Sequence, residues 1–291
     1  MLLTKLAKNS EFTYGVHKDV LADVAPDNAF TLMAQADLLV ALKHLDQGVM
    51  GSVRALNHLK ELLRQGIAYG LTYRVSTDPI YPILGAGSLK PAIQFAVYKR
   101  NKRNNEGQLT SKLSLGAGGH IEGDDISYHL LRLENSDEVI PTGNIDMLET
   151  IDDSFVREYV EEVKLADRED TDLTSAILGA SSATGFQKVG FVMDSKPEPG
   201  YVGNIHFGVV YVQEAPAAVA SFEMREPQNE AVAWATAEEL QTLPLFTDPE
   251  VPFEPWSAMI VEQIQALEGY IFANFLKPLT TVPSAVKELA V

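Results

Sequence analysis

Arg157, Glu158, Glu161 and Glu162 place three carboxylates and one guanidinium within six consecutive positions. On a helix spanning about residues 150 to 165, each step turns about 100°, so Glu158, Glu161 and Glu162 share roughly a third of the circumference. Ile151 lies near the edge of that acidic face, while Phe155, Val156, Tyr159, Val160 and Val163 fall mainly on the opposite side, as an amphipathic helix packed on a core requires. Thr150, Asp152 and Asp153 are expected to cap the start and to complement its dipole. Carboxylates at i, i+3 and i+4 form an oxygen platform suited to a hard divalent cation. The plainer alternative is a solvated face, salt-bridged to Arg157 and Lys164.

The rest of the composition narrows the chemistry. The 291 residues are 46% hydrophobic, enough for one large domain with an extension or two modest domains. A formal charge of -17 argues against a generic basic surface for nucleic acid or anionic lipid. With no cysteine, thiolate catalysis, disulfides and cysteine-ligated zinc are excluded, and metal binding must use oxygen or imidazole. The opening MLLTKLAKNS has too short an apolar run for a signal peptide, and no later stretch approaches a membrane span. A soluble, cytoplasmic protein is the expectation.

Several kinds of element must position the acidic face. Residues 1–75 are expected to be a mainly helical N-terminal extension, with a short strand around Phe12 to Val16 and helices over Ala29 to Leu45 and Val53 to Leu63. From Asp78 the texture becomes β-rich: IYPIL, AIQFAVYKR and KLSLGAGGHI, separated by turn-like stretches. Lys99, Arg100, Lys102 and Arg103 form a basic run that could meet substrate phosphates or simply lie in a solvated loop. Residues 124–148 look like an inserted excursion, a hairpin in form. After the helix come the strand candidates QKVGFVMDS, GNIHFGVVYVQEA and SFEM, then a helix start at Thr236 and a closing helix from Trp256. His206 is expected to be a core residue or to support the site from behind. Residues 271–291 are expected to be a tail.

Gly143, Glu149 and the run Arg157-Glu158-Tyr159-Val160-Glu161-Glu162-Val163-Lys164-Leu165 resemble the Nudix box, Gly-x5-Glu-x7-Arg-Glu-U-x-Glu-Glu-x-Gly-U, with U a bulky apolar residue. Lys164 stands where the box has a glycine, so the helix is expected to end differently. The glycine pair that such a box follows is more similar to Gly118-Gly119-His120-Ile121-Glu122, well upstream, which implies an insertion within the box. On that reading Gly118 and Gly119 take the structural glycine places and Glu149 keeps its place before the arginine. GAGGHI with a long gap before the box is also similar to a poorly characterised subgroup of predicted Nudix phosphoesterases. The resemblance covers about residues 78–268, and the domain itself is expected over residues 76–270.

The resemblance implies a Nudix-type α/β/α sandwich with a mixed sheet, and a metal-dependent hydrolase that cleaves a pyrophosphate bond in a nucleoside diphosphate derivative. It implies Mg2+, with Mn2+ as a substitute, held by Glu158, Glu161, Glu162 and the Gly118 carbonyl. Arg157 is expected to orient Glu149 and Glu161. The general base is Glu162 by first choice, with Glu226 and Glu230 on a later loop as alternatives. The expected partner is a nucleotide-type small molecule, with no membrane or nucleic acid; residues 1–75 could cap the site or mediate a homodimer. The rival reading is a non-catalytic nucleotide-sensing or interaction module on the same fold.

Overall fold

The computed structural model describes residues 12–52, 62–76, 92–100, 111–132, 139–179, 186–196, 202–227 and 229–276. In chain order the strands are β1 (Phe12–His17), β2 (Ala29–Leu32), β3 (Val49–Ser52), β4 (Leu63–Ser76), β5 (Ala92–Arg100), β6 (Lys112–Ser114) and β7 (Gly116–Ala117). They continue as β8 (Tyr128–Arg132), β9 (Val139–Ile145), β10 (Val163–Ala166), β11 (Phe186–Met193), β12 (His206–Glu214), β13 (Ser221–Met224) and β14 (Asn229–Thr236). The helices are α1 (Lys18–Ala22), α2 (Gln35–His44), α3 (Met147–Glu162), α4 (Thr174–Gly179), α5 (Ala237–Thr242), α6 (Pro244–Thr247), α7 (Pro255–Glu262) and α8 (Ile264–Asn274).

Among the described residues, ten strands form one mixed sheet whose main path runs β14-β5-β4-β12-β11-β2. β4 and β12 pair in parallel at its centre, from His206 opposite Gln65 to Glu214 opposite Tyr73. Both are buried along most of their length because helices cover the sheet on both sides, which suits the valines and aromatics they carry. On one face, α3 packs Ile151, Phe155 and Tyr159 into a core with Ala68, Ala96 and Tyr211. On the other, Trp256, Ile260, Ile264, Leu267 and Ile271 of α7 and α8 meet Tyr69, Leu71, Phe95, Val97 and Val210. The result is an α/β/α sandwich with a mixed sheet. Among the described residues no helix is long and apolar enough to cross a membrane.

The first 75 residues correct the expectation of a mainly helical extension. Among their described residues strands predominate, and β1, β2 and β4 hydrogen-bond into the main sheet. Ala29–Leu32 is a strand paired with β11, and the helix begins only at Gln35. Residues 53–61 of the second expected helix lie outside the described residues, and Leu63 already belongs to β4, which crosses the expected boundary at 75. For β4 the physical reason is its place inside the sheet, where burial on both sides removes the alternation that marks a strand, whereas β2 is a four-residue strand at the end of the sheet path, too short to show a period. The strand expected at IYPIL lies outside the described residues, whereas β5, β11, β12 and β13 fall where their patterns place them. The closing helix is divided at Gln263 into α7 and α8, and α8 continues to Asn274, past the expected start of the tail.

Candidate active site

α3 is fixed to the sheet by its apolar side and by two polar anchors, Tyr159 and Asp152. The Phe155 ring stacks on Tyr211 with centroids 4.2 Å apart, and the Tyr159 and Thr72 hydroxyls are hydrogen-bonded at 2.5 Å. Asp152 accepts a hydrogen bond from the Tyr211 hydroxyl at 2.9 Å and an ion pair from Lys188 at 2.6 Å. The N-cap is Asp146, which accepts from the Glu149 amide at 3.3 Å; Thr150 is instead buried, its hydroxyl accepting from the Ser127 amide at 3.0 Å. At the other end the helix gives way at Val163 (φ -114°, ψ 139°) to β10, so Lys164 continues in extended conformation where a box would have its glycine.

The opposite, acidic side of α3 faces the loop that leaves β7. Gly118 has φ +154°, and a Cβ there would collide with the Ala68 carbonyl oxygen, so this backbone requires glycine. Its amide donates to the Glu162 carboxylate at 2.9 Å. A Cβ on Gly119 would collide with the Glu158 carboxylate, so the missing side chain is what lets the loop and the helix meet. The loop is held from behind: Ala68 N–H donates to the Gly119 carbonyl, Ile121 N–H to the Gly66 carbonyl, and Tyr14 N–H and the Thr13 hydroxyl both donate to the Ile121 carbonyl, all between 3.0 and 3.1 Å.

Arg157 ties the two halves together. Its Nε and Nη2 form a fork on the buried Asp125 carboxylate at 2.8 and 2.9 Å, Nη2 also donates to the His120 carbonyl at 2.9 Å, and Nη1 reaches Glu158 at 2.7 Å and Glu161 at 3.5 Å. Burial disfavours the Arg157 charge, but the Asp125 hydrogen bonds and the Glu158 and Asp125 charges outweigh it and raise its pKa. Burial pushes the Glu158 carboxyl up to about 7, with the Glu162 and Glu161 charges adding to the rise and Arg157 opposing it. Burial also raises the Glu122 pKa, against the pull of Arg157. Asp125 in turn accepts from the Glu122 amide at 2.8 Å, which closes the loop on itself.

The sequence-derived residues therefore separate. Gly118, Gly119, Arg157, Glu158 and Glu162 are brought together, and Glu161 is at the open side, 61% exposed. Glu149 is not part of the group. It is exposed in the first turn of the same helix, eight residues before Arg157, or about 12 Å along the axis, too far for contact. Asp125 does what was expected of Glu149. The signal was present in the spacing Gly119-x5-Asp125, which matches Gly-x5-Glu with one methylene fewer. Gly143 lies in β9, one strand of the hairpin β8-β9 inserted between Asp125 and the helix. Of the alternative bases, Glu226 lies next to Arg225, whose amide donates to the Glu162 carbonyl at 2.8 Å, while Glu230 is exposed on β14 opposite Lys99. His206 is buried and its Nε2 lies 2.9 Å from His120 Nε2, a pairing that sequence alone did not suggest.

Among the described residues, no three His, Asp or Glu side chains converge closely enough to enclose a metal ion. Arg157 Nη1 pairs with both Glu158 and Glu161.

No family model and no curated protein matches the chain. Among solved structures, one of Tm1382, a protein proposed to be a Nudix hydrolase, superposes with a TM-score of 0.53 at 19% identity, covering 88% of this chain and 100% of that one. The chain has a Nudix fold. A Nudix hydrolase from Alicyclobacillus acidocaldarius (TM-score 0.41, 12% identity, 74% of this chain and 97% of that one) also matches. So does a MutT/Nudix family protein from Listeria innocua (TM-score 0.35, 13% identity, 72% and 96%). At these identities the likeness concerns the fold alone, and the chemistry has to be argued from the residues.

Proposed function

We propose that this protein is a metal-dependent hydrolase of the Nudix kind, cleaving a pyrophosphate linkage in a nucleoside diphosphate derivative. The observation that carries this reading is the meeting of Gly118-Gly119 with Glu158 and Glu162, built from two segments far apart in sequence on a Nudix fold. The donor chemistry fits a hard cation. Glu158, Glu161, Glu162 and the Gly118 carbonyl offer only oxygen, and burial, the largest cause of the raised Glu158 pKa, penalises a carboxylate charge that a bound dication would offset. Mg2+, or Mn2+ in its place, keeps several waters and needs only one or two carboxylates, so a closed cage is not required. When bound, such an ion neutralises phosphoryl oxygens and lowers the pKa of a bound water.

The chain's own residues supply the rest. Asp125 holds Arg157 by a two-point fork, and Arg157 holds Glu158 and Glu161, so the acidic face keeps its shape without substrate. Glu162, positioned by the Gly118 amide, is the first choice to take the proton as a water oxygen bonds to phosphorus; the bridging P–O bond breaks and its electron pair leaves with the departing phosphate. Glu226 is the loop alternative, with Glu230 less favoured by its place on the outer strand. A second reading, a non-catalytic nucleotide-sensing or interaction module, draws on the split of the box by the inserted hairpin β8-β9. Exchange of both Glu161 and Glu162 for Gln separates the two: turnover should vanish with the fold retained, and retained turnover removes the metal assignment.

A further inference from the structure

The strand that leads into the glycine loop is gripped from the opposite side of the sheet by side chains that the proposed chemistry does not use. Glu254 caps α7, its carboxylate accepting from the Trp256 amide at 3.1 Å and the Ser257 amide at 3.0 Å. The segment around this cap runs beside β6: Glu254 N–H donates to the Leu113 carbonyl at 2.8 Å, and Leu113 N–H to the Pro252 carbonyl at 3.0 Å. Glu254 Oε1 also accepts from the Tyr69 hydroxyl at 2.6 Å and from the Ser257 hydroxyl at 2.7 Å. Tyr69, Glu254 and Ser257 are all buried.

A carboxylate oxygen only accepts, so both hydroxyl protons are drawn to Glu254 and both hydroxyl oxygens are left as acceptors. They take the two amides at the start of β7. Leu115 N–H donates to Ser257 Oγ at 2.8 Å, and Gly116 N–H donates to the Tyr69 hydroxyl at 3.2 Å. The Gly116 carbonyl accepts in turn from the Tyr98 hydroxyl at 2.7 Å and the Ser114 hydroxyl at 3.0 Å. Gly116 stands two residues, or about 7 Å of extended chain, before Gly118, whose amide donates to Glu162 at 2.9 Å. Hydrogen bonds fix direction as well as distance, which apolar packing alone does not, and a shift of this strand would leave a buried amide unpaired.

We propose that Tyr69, Glu254 and Ser257 are positioning residues that set, from the far side of the sheet, where the Gly118 amide and carbonyl stand against Glu158 and Glu162. They act through the backbone of Leu115 and Gly116. This rests on the hydrolase reading, in which that carbonyl and those carboxylates hold the metal. A merely structural network would add stability and leave the folded site unchanged when altered.

The test uses the full chain as wild type, Tyr69→Phe, Ser257→Ala and a control, Ile271→Ala, which opens the same core in the last turn of α8 and lies outside the hydrogen-bonded group. Hydrogen exchange of the Gly118 amide without metal, Mn2+ binding by calorimetry and thermal melting are measured for each, with steady-state kinetics at saturating Mn2+ well below the melting range. Tyr69→Phe and Ser257→Ala should each speed Gly118 exchange about 10-fold beyond what their loss of global stability accounts for. They should weaken Mn2+ binding about 10-fold and lower kcat about 10- to 100-fold, with KM within about twofold of wild type. Ile271→Ala should change Gly118 exchange only in step with its melting and keep the wild-type Mn2+ affinity and kcat. Gly118 exchange and Mn2+ affinity that follow melting alone in Tyr69→Phe and Ser257→Ala overturn the proposal, and if Tyr69→Phe does not fold, that result in Ser257→Ala overturns it. Should the wild type cleave no diphosphate, the hydrolase reading fails, while the exchange comparison still decides whether these three residues set the loop.

Discussion

Glu158 should destabilise the metal-free protein at neutral pH, and replacing it with Gln should therefore stabilise it. The carboxyl is about 12% exposed and its pKa is raised from 4.5 to about 7. A folded-state pKa above the unfolded one means that the folded protein holds the proton more tightly. The stabilising contribution of this group is complete below about pH 4.5 and is lost as pH rises through about 7. At about 1.4 kcal/mol for each pH unit over that interval, the loss amounts to about 3 kcal/mol. Glu158→Gln keeps a polar group beside Arg157 and removes the titration, and Asp125 still holds the guanidinium. Urea unfolding in EDTA should find the variant about 2 to 3 kcal/mol more stable than wild type at pH 8 and within about 0.5 kcal/mol of it at pH 4.5. Saturating Mg2+ should restore wild type at pH 8 and do less for the variant. A variant less stable than wild type at pH 8 in EDTA would refute the electrostatic picture of this face.

Asp125→Asn removes the charge of the carboxylate that accepts the two-point fork of Arg157 and should cost about 1.5 to 3 kcal/mol in urea unfolding, together with most of the activity. Glu149→Gln is the contrasting change: stability should stay within about 0.5 kcal/mol and turnover within about twofold, because the residue is exposed and remote from Arg157. Gly119→Ala drives a methyl group into the Glu158 carboxylate, and the displacement should lower kcat about 100-fold in steady-state assays.

The acidic helix was legible because i, i+3 and i+4 spacing is a local property, and the apolar residues opposite it, Phe155 and Tyr159, do pack on the sheet. β11, β13 and the Thr236 cap were legible for the same reason, since each announces itself within a few residues. β4 did not: burial on both faces removes its alternation, and, unlike the equally buried β12 with its bounding Gly203-Asn204 and Pro216, it continues directly from Val53 to Leu63, whose spacing suggests a helix. Asp125 was missed through a competing local match. Gly143 and Glu149 have the right spacing to Arg157 in sequence, but an inserted hairpin lets Gly119 and Asp125 satisfy it in space. Partners that meet only through long-range folding, such as Gly118 with Glu162 and His120 with His206, carry no spacing rule at all.

The central claim is that this acidic face, joined to the glycine loop, hydrolyses a diphosphate. Purified full-length protein with Mg2+ or Mn2+ should release AMP or another mononucleotide from at least one of ADP-ribose, NAD, dinucleotide polyphosphates and nucleotide sugars, followed by chromatography of the products. EDTA, and separately Glu161→Gln with Glu162→Gln, should abolish that release. No release from any of these substrates with either metal would contradict the claim and leave a binding module on a Nudix fold.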